Sequence, residues 1–279
     1  MRLSIETLGL YPRFGCEKTL EMIRDAGFDC VDFSYTAPIE KNEKICPYVA
    51  DDYVSVAHRM REAMERVGLV CNQAHAPFRP MTDAHVPLVI RAMEGASILG
   101  APHIVVHARW CEAEMEEYNV RYFQALEPYC EKFGIRIAIE NLFHREKPSG
   151  FSGIFHTADA MNALLDRLHS PWFFACCDTG HAALTGTAPE DYIAGIAKDR
   201  LIALHVQDND RCDDRHVLPY LGKLDWDAIL AALRARNYRG DLTFEIYKYL
   251  RSFPDALVPD ALHMAARVGR ELIAKFERM

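Results

Sequence analysis

The chain has 279 residues, half of them hydrophobic and about a quarter charged, with a formal charge of −8. That length supplies one large core, and the acidity offers no bulk attraction to phosphate backbones or anionic lipid. No apolar run reaches the ~18 residues of a membrane span, and Met1–Glu6 does not read as the start of a signal peptide. The nine cysteines are odd in number, scattered and never spaced C-x-x-C, which points to reduced thiols and a cytoplasmic address.

Along the chain, short apolar or β-branched runs predict strands near residues 2–7, 30–35, 69–75, 103–108, 136–141, 173–178, 201–207 and 241–246. Each is followed by a stretch with helical spacing of apolar residues, such as 51–67 and 86–99. Gly27, Gly68, Gly100, Gly134 and Gly240 stand where helices should stop in a left-handed conformation. Asp225-Trp226-Asp227 places acids at a helix start, where they complement the helix dipole. Parallel strands need crossover helices, so eight such units with no linker predict one α/β domain over residues 1–279, a (β/α)8 TIM barrel. An open dinucleotide-binding sheet would carry G-x-G-x-x-G after its first strand, and the chain has none there.

Chemistry in such a barrel sits at the C-terminal ends of the strands. Here the last four runs each end on a polar group: Ile139-Glu140, Cys177-Asp178, Leu204-His205 and Phe244-Glu245. Consecutive parallel strands lie roughly 4.8 Å apart, so three carboxylates and one imidazole converge on one rim. Buried together, these anions repel unless a cation sits between them. The nitrogen and oxygen donors suit one divalent ion, Mn or Zn first, with Mg or Co as alternatives. His75 and His107 extend the arc, while His181, Asp214 and His216 supply a further set, for additional metal ions or for substrate hydroxyls. Cys176 and Cys177 should point to opposite sides of their strand. Trp110 and Phe78 would wall the pocket. The other seven histidines read as surface or packing residues.

Together these stretches, with His205-Val206-Gln207-Asp208-Asn209-Asp210 and Asp214-Arg215-His216-Val217-Leu218-Pro219, resemble the xylose isomerase-like TIM barrels over essentially the whole chain. That group includes ketose 3-epimerases, sugar phosphate isomerases, inosose isomerases and dehydratases, and endonuclease IV. The resemblance implies one metal on Glu140, Asp178, His205 and Glu245, the two glutamates acting as acid and base. It also implies substrate contacts from His181 and Arg211. The expected reaction is isomerisation or epimerisation of a ketose or cyclitol through an enediolate, the partner being a small polyol, with homo-oligomerisation compatible. The competing implication is an endonuclease IV-like zinc phosphodiesterase on abasic-site DNA, for which His75, His107, Glu140, Asp178, His181, His205, Asp214, His216 and Glu245 all match. Against nucleic acid, the loop after the fourth run is acidic at Glu112, Glu114, Glu116 and Glu117, whereas duplex DNA needs basic, intercalating loops. The chain departs from many relatives at Tyr220-Leu221-Gly222-Lys223, where they carry Gly-acidic-Gly.

Overall fold

All eight predicted runs form strands in the structure, a computed structural model that describes residues 1–35, 49–77, 85–111, 113–146 and 150–279. They are β1 (Leu3–Glu6), β2 (Cys30–Ser34), β3 (Val70–His75), β4 (His103–His107), β5 (Arg136–Glu140), β8 (Phe173–Asp178), β9 (Leu201–His205) and β10 (Leu242–Phe244). The remaining two, β6 (Leu142–Arg145) and β7 (Phe151–Ile154), form an antiparallel hairpin directly after β5. The eight-stranded sheet is parallel, in the order β10-β1-β2-β3-β4-β5-β8-β9. Its two edges meet through Val206, which bridges Phe244 in parallel. The Val206 N–H donates to the Thr243 carbonyl (2.8 Å), and the Glu245 N–H donates to the Val206 carbonyl (3.1 Å). These bonds close the sheet into a barrel. Phe78 and Glu112 lie outside the described residues, so the pocket-wall reading of the one and the loop-charge reading of the other stop at the sequence.

Strand alternation sorts side chains between the barrel interior and the layer beneath the helices. Val105, Ala138, Cys176 and Ala203 pack together as one small interior cluster. Cys177 and Leu204, one residue along, belong instead to the large core shared with the helices. Both faces of the strands are therefore dry, which is why the runs read as continuous apolar stretches. The two thiols do point apart as expected, and burial holds both well above their ordinary pKa. The outer helices are amphipathic. The last one, Val258–Arg278, buries Leu262, Ala265, Ala266, Gly269, Leu272, Ile273 and Phe276, the spacing of a single helical face. Among the described residues, no helix is long and apolar enough to cross a membrane.

Gly27, Gly68, Gly100 and Gly134 end their helices with φ between 63° and 98°, as read from the sequence. Gly240 does not. After the helix Trp226–Ala235 the left-handed residue is Asn237 (φ 58°), and Gly240 is small for a different reason: a Cβ there would stand 2.1 Å from the Tyr238 hydroxyl. Asp225 caps that helix, its Oδ1 accepting from the Asp227 and Ala228 N–H groups, both at 3.1 Å.

Candidate metal centre

Strand register brings the four strand-end residues together. His107 lies beside Glu140 across the β4–β5 pair, and Asp178 lies beside His205 across the β8–β9 pair. Glu245 follows β10 at the closing seam. Asp178 also acts on the backbone, where its Oδ1 accepts the His181 N–H (2.7 Å) and so caps the helix Thr179–Leu184. The sequence Asp178-Thr179-Gly180-His181 folds this way because the acid ends the strand and starts the helix. Gly180 leaves room for Gln207, whose Cδ would lie only 2.2 Å from a Cβ at that position.

Glu140, Asp178 and His205 are 0 % exposed and Glu245 is 7 % exposed. One donor atom from each lies within 4.8 Å of the others. His205 Nδ1 is 3.3 Å from Glu140 Oε1 and 3.7 Å from Glu245 Oε2. Both Glu140 oxygens, His205 Nδ1 and Glu245 Oε2 are buried yet make no well-formed hydrogen bond among the described residues. Such atoms cost several kcal/mol each when left unmatched. Four convergent acceptors and lone pairs, with no thiolate among them, fit a divalent cation.

The charges are uneven. Burial alone would raise the Glu140 carboxyl, but His205 and His107 hold it well below its ordinary value. Burial pushes Glu245 well above, and Glu140 and Asp178 add to this despite His205. Burial would lower His205, yet the acidic groups around it hold it well above. Of these, Cys176 is kept neutral by its own burial, so Glu245, Glu140 and Asp32 carry the effect.

Two further clusters adjoin the first. His75 and His107 face each other with Nε2 atoms 3.1 Å apart, 3.5 and 2.9 Å from Glu140 Oε2 respectively. His75 Nδ1 lies 2.8 Å from the Ala76 carbonyl, to which it can donate. Burial pushes His107 down to about 4 despite the neighbouring Glu140. On the other side, His181, Asp214 and His216 form a third group of close donors. Burial opposes protonation of His181, but Asp178, Glu140 and Asp214 raise it to about 9. Asp214 is held far below the usual carboxylate range by His216, His181 and Lys248 against its burial.

Above the centre is a cavity of about 900 Å³. Trp110 lines it, as expected, stacked on His144 with ring centroids 4.2 Å apart and planes 2° apart. Glu245, His107, His181, Asp214 and His216 reach this cavity, whereas Glu140 lies beneath its lining. Arg211 sits on an exposed turn (φ 65°) outside the lining.

Three residues escaped sequence reasoning. His144 contributes a cavity wall from the β6–β7 hairpin, which carries no signal beyond a short apolar run. Gln207 Nε2 lies 3.3 Å from Asp178 Oδ1 and 3.2 Å from Asp214 Oδ1, tying two clusters together. Asp32, an acid inside an otherwise apolar strand, lies 3.1 Å from His205 Nε2. That signal was visible in Val31-Asp32-Phe33.

Residues 20–268 match the family described as xylose isomerase-like TIM barrel. The protein y4fM of Sinorhizobium fredii is 30% identical over 264 residues, spanning 83% of this chain and 81% of its own. Among solved structures, a D-tagatose 3-epimerase-like protein superposes with a TM-score of 0.77 at 18% identity, covering 100% of this chain and 99% of that one. A D-psicose 3-epimerase determined in the presence of D-fructose gives 0.74 at 16% identity, covering 98% and 99%.

Proposed function

The chain belongs to the xylose isomerase-like TIM barrel family, and from that premise we propose that it is a divalent-metal-dependent isomerase or epimerase of a small ketose or cyclitol. One observation carries the reading: four buried donor atoms from Glu140, His205 and Glu245, none with a well-formed hydrogen bond among the described residues, meet with Asp178 at the ends of β5, β8, β9 and β10. These four residues would hold the ion, which supplies Lewis-acid polarisation of a substrate carbonyl. Similarity in fold to proteins described as 3-epimerases supports a sugar as the substrate.

The chain's own residues divide the proton work by depth. Glu245 lines the cavity, so it stands where it can exchange a proton with the carbon beside the carbonyl. Glu140, buried beneath it, is the complementary base. His181 and His216 face the cavity and orient hydroxyls, and the parallel Trp110–His144 pair offers an apolar wall to a sugar face. Arg211, the further substrate contact that the family implies, stands on an exposed turn outside the cavity lining.

The test is proton exchange in D2O. Metal-loaded protein is incubated with ketoses, ketose phosphates and inososes, and deuterium beside the carbonyl is followed by NMR. Exchange that needs both metal and Glu245 supports the reading, and loss of a hydroxyl instead would mark an inosose dehydratase. Absence of exchange across the panel would sink it.

A second reading is favoured by the two adjoining clusters, His75/Glu140/His205 and His181/Asp214/His216. Three ions on the nine residues would resemble the zinc centre of endonuclease IV and a phosphodiesterase for abasic-site DNA. Three zinc ions per chain together with cleavage of such DNA would establish it.

A further inference from the structure

TIM-barrel interiors are ordinarily filled by layers of branched apolar side chains. In this barrel a run of polar side chains crosses the interior beneath the metal centre. Ser4 Oγ donates to Asn72 Oδ1 (2.6 Å), and Asn72 Nδ2 donates to Thr243 Oγ1 (3.1 Å). Thr243 Oγ1 donates to Gln73 Oε1 (3.3 Å), and Gln73 Nε2 donates to Asp32 Oδ2 (2.8 Å). The same Asp32 oxygen then meets His205 Nε2 at 3.1 Å. The chain spans β1, β3, β10, β2 and β9, and every member is buried, none more than 3 % exposed.

Its terminus is what needs explaining. Asp32 is 0 % exposed, and its one ion-pair partner among the described residues is His205. A lone buried carboxylate is costly, and an all-apolar interior would avoid the cost. The carboxylate is held in one place by Gln73, on the side of the imidazole opposite Glu140 and Glu245. The ring plane is fixed as well, since His205 stacks on His75 with centroids 5.2 Å apart and planes 12° apart.

We propose that Asp32 is a positioning residue for His205. By accepting the Nε2 proton it selects the tautomer whose bare Nδ1 faces Glu140 and Glu245, and it thereby sets how tightly the centre holds a divalent cation. A carboxylate behind a metal-binding imidazole fixes the ring's orientation and raises its basicity, and its loss ordinarily weakens metal binding 10–100-fold. The polar chain from Ser4 to Gln73 is the clamp that keeps Asp32 aimed. This inference rests on the metal-centre reading above.

The test uses the full chain and Asp32→Asn, which keeps shape and a hydrogen-bond acceptor but removes the charge. Mn2+ and Zn2+ affinities are measured by competition with a chelator. The expected result is a loss of about 10–100-fold in affinity. In the Zn2+-loaded protein, the His205 Nε2–H proton should also move upfield and exchange faster with solvent. Gln73→Met, which leaves Asp32 intact but unclamped, should give a smaller loss of the same kind, and it serves if Asp32→Asn does not fold. Leu262→Val, in the outer helix, should lower Tm while leaving affinity and the imidazole proton unchanged, which separates positioning from general destabilisation. Wild-type affinity and an unchanged imidazole proton in both Asp32→Asn and Gln73→Met would overturn the proposal while leaving the metal centre standing. Failure of the wild-type protein to bind either ion would overturn both.

Discussion

The two ends of the barrel treat charge in opposite ways. At the N-terminal end, Arg2 grips Asp241 through two bonds of 3.1 and 2.7 Å, and Arg270 grips Asp29 through two of 2.7 Å. His103 there is buried without a hydrogen-bond partner among the described residues, but burial pushes it down to about 4, so no charge is stranded. At the C-terminal end, Glu140, Asp178 and Glu245 crowd around histidines, with oxygens and one nitrogen that make no well-formed hydrogen bond among the described residues. Pairs that serve only stability are matched where they stand. The surplus of donors on one face is what supports the proposed metal centre.

Several substitutions would break or sharpen that contrast. The largest effect is expected for Glu245→Gln, which should lower turnover at least 10²–10⁴-fold, the usual worth of a general acid or base, read as the rate of deuterium incorporation. Asp178→Asn comes next. Asparagine caps a helix about as well as aspartate, so the metal-free protein should keep its stability to within about 1 kcal/mol while metal affinity falls steeply. Competition titration beside thermal melting would separate the two roles. Adding metal to the chelator-treated protein should raise its stability by about 2.7 kcal/mol at a hundredfold excess over Kd, seen as a concentration-dependent Tm.

A smaller effect concerns Glu6, at the end of β1. Burial first, and then Asp32, raise its carboxyl from 4.5 to about 8. The folded state therefore holds a proton that the unfolded chain releases near 4.5. That contribution to stability is complete below 4.5 and is lost as pH rises through about 8. Glu6→Gln should flatten this decline in denaturant midpoints measured across the window; an unchanged slope would contradict the assignment. The least change is expected at the opposite end. Arg2→Ala removes a half-exposed pair worth about 0–1 kcal/mol and should leave metal binding untouched.

Most of the barrel was legible because both faces of its strands are dry, so each strand shows as an apolar run ending on a polar residue. The run 173–178 stops where its strand stops, the runs 136–141 and 201–207 overshoot theirs by one and two residues, and Glu245 lies one residue past Phe244. The β6–β7 hairpin was not legible, since Leu142–Arg145 and Phe151–Ile154 are four residues each and pair only with one another. Asp32 and Gln207 were passed over because an isolated polar residue in a strand or loop has no partner until the strands are ordered. Gly240 misled because a glycine before a strand resembles a helix stop, when here it makes room for Tyr238. Arg211 was placed by family spacing alone, and the structure sets it on an exposed turn outside the cavity lining.

Anomalous diffraction from crystals grown with Mn2+ tests the metal centre most directly. A peak is expected among Glu140, Asp178, His205 and Glu245, at about 2.0–2.2 Å from one donor atom of each. No peak there, with manganese bound elsewhere or not at all, would contradict the assignment of these four residues as ligands.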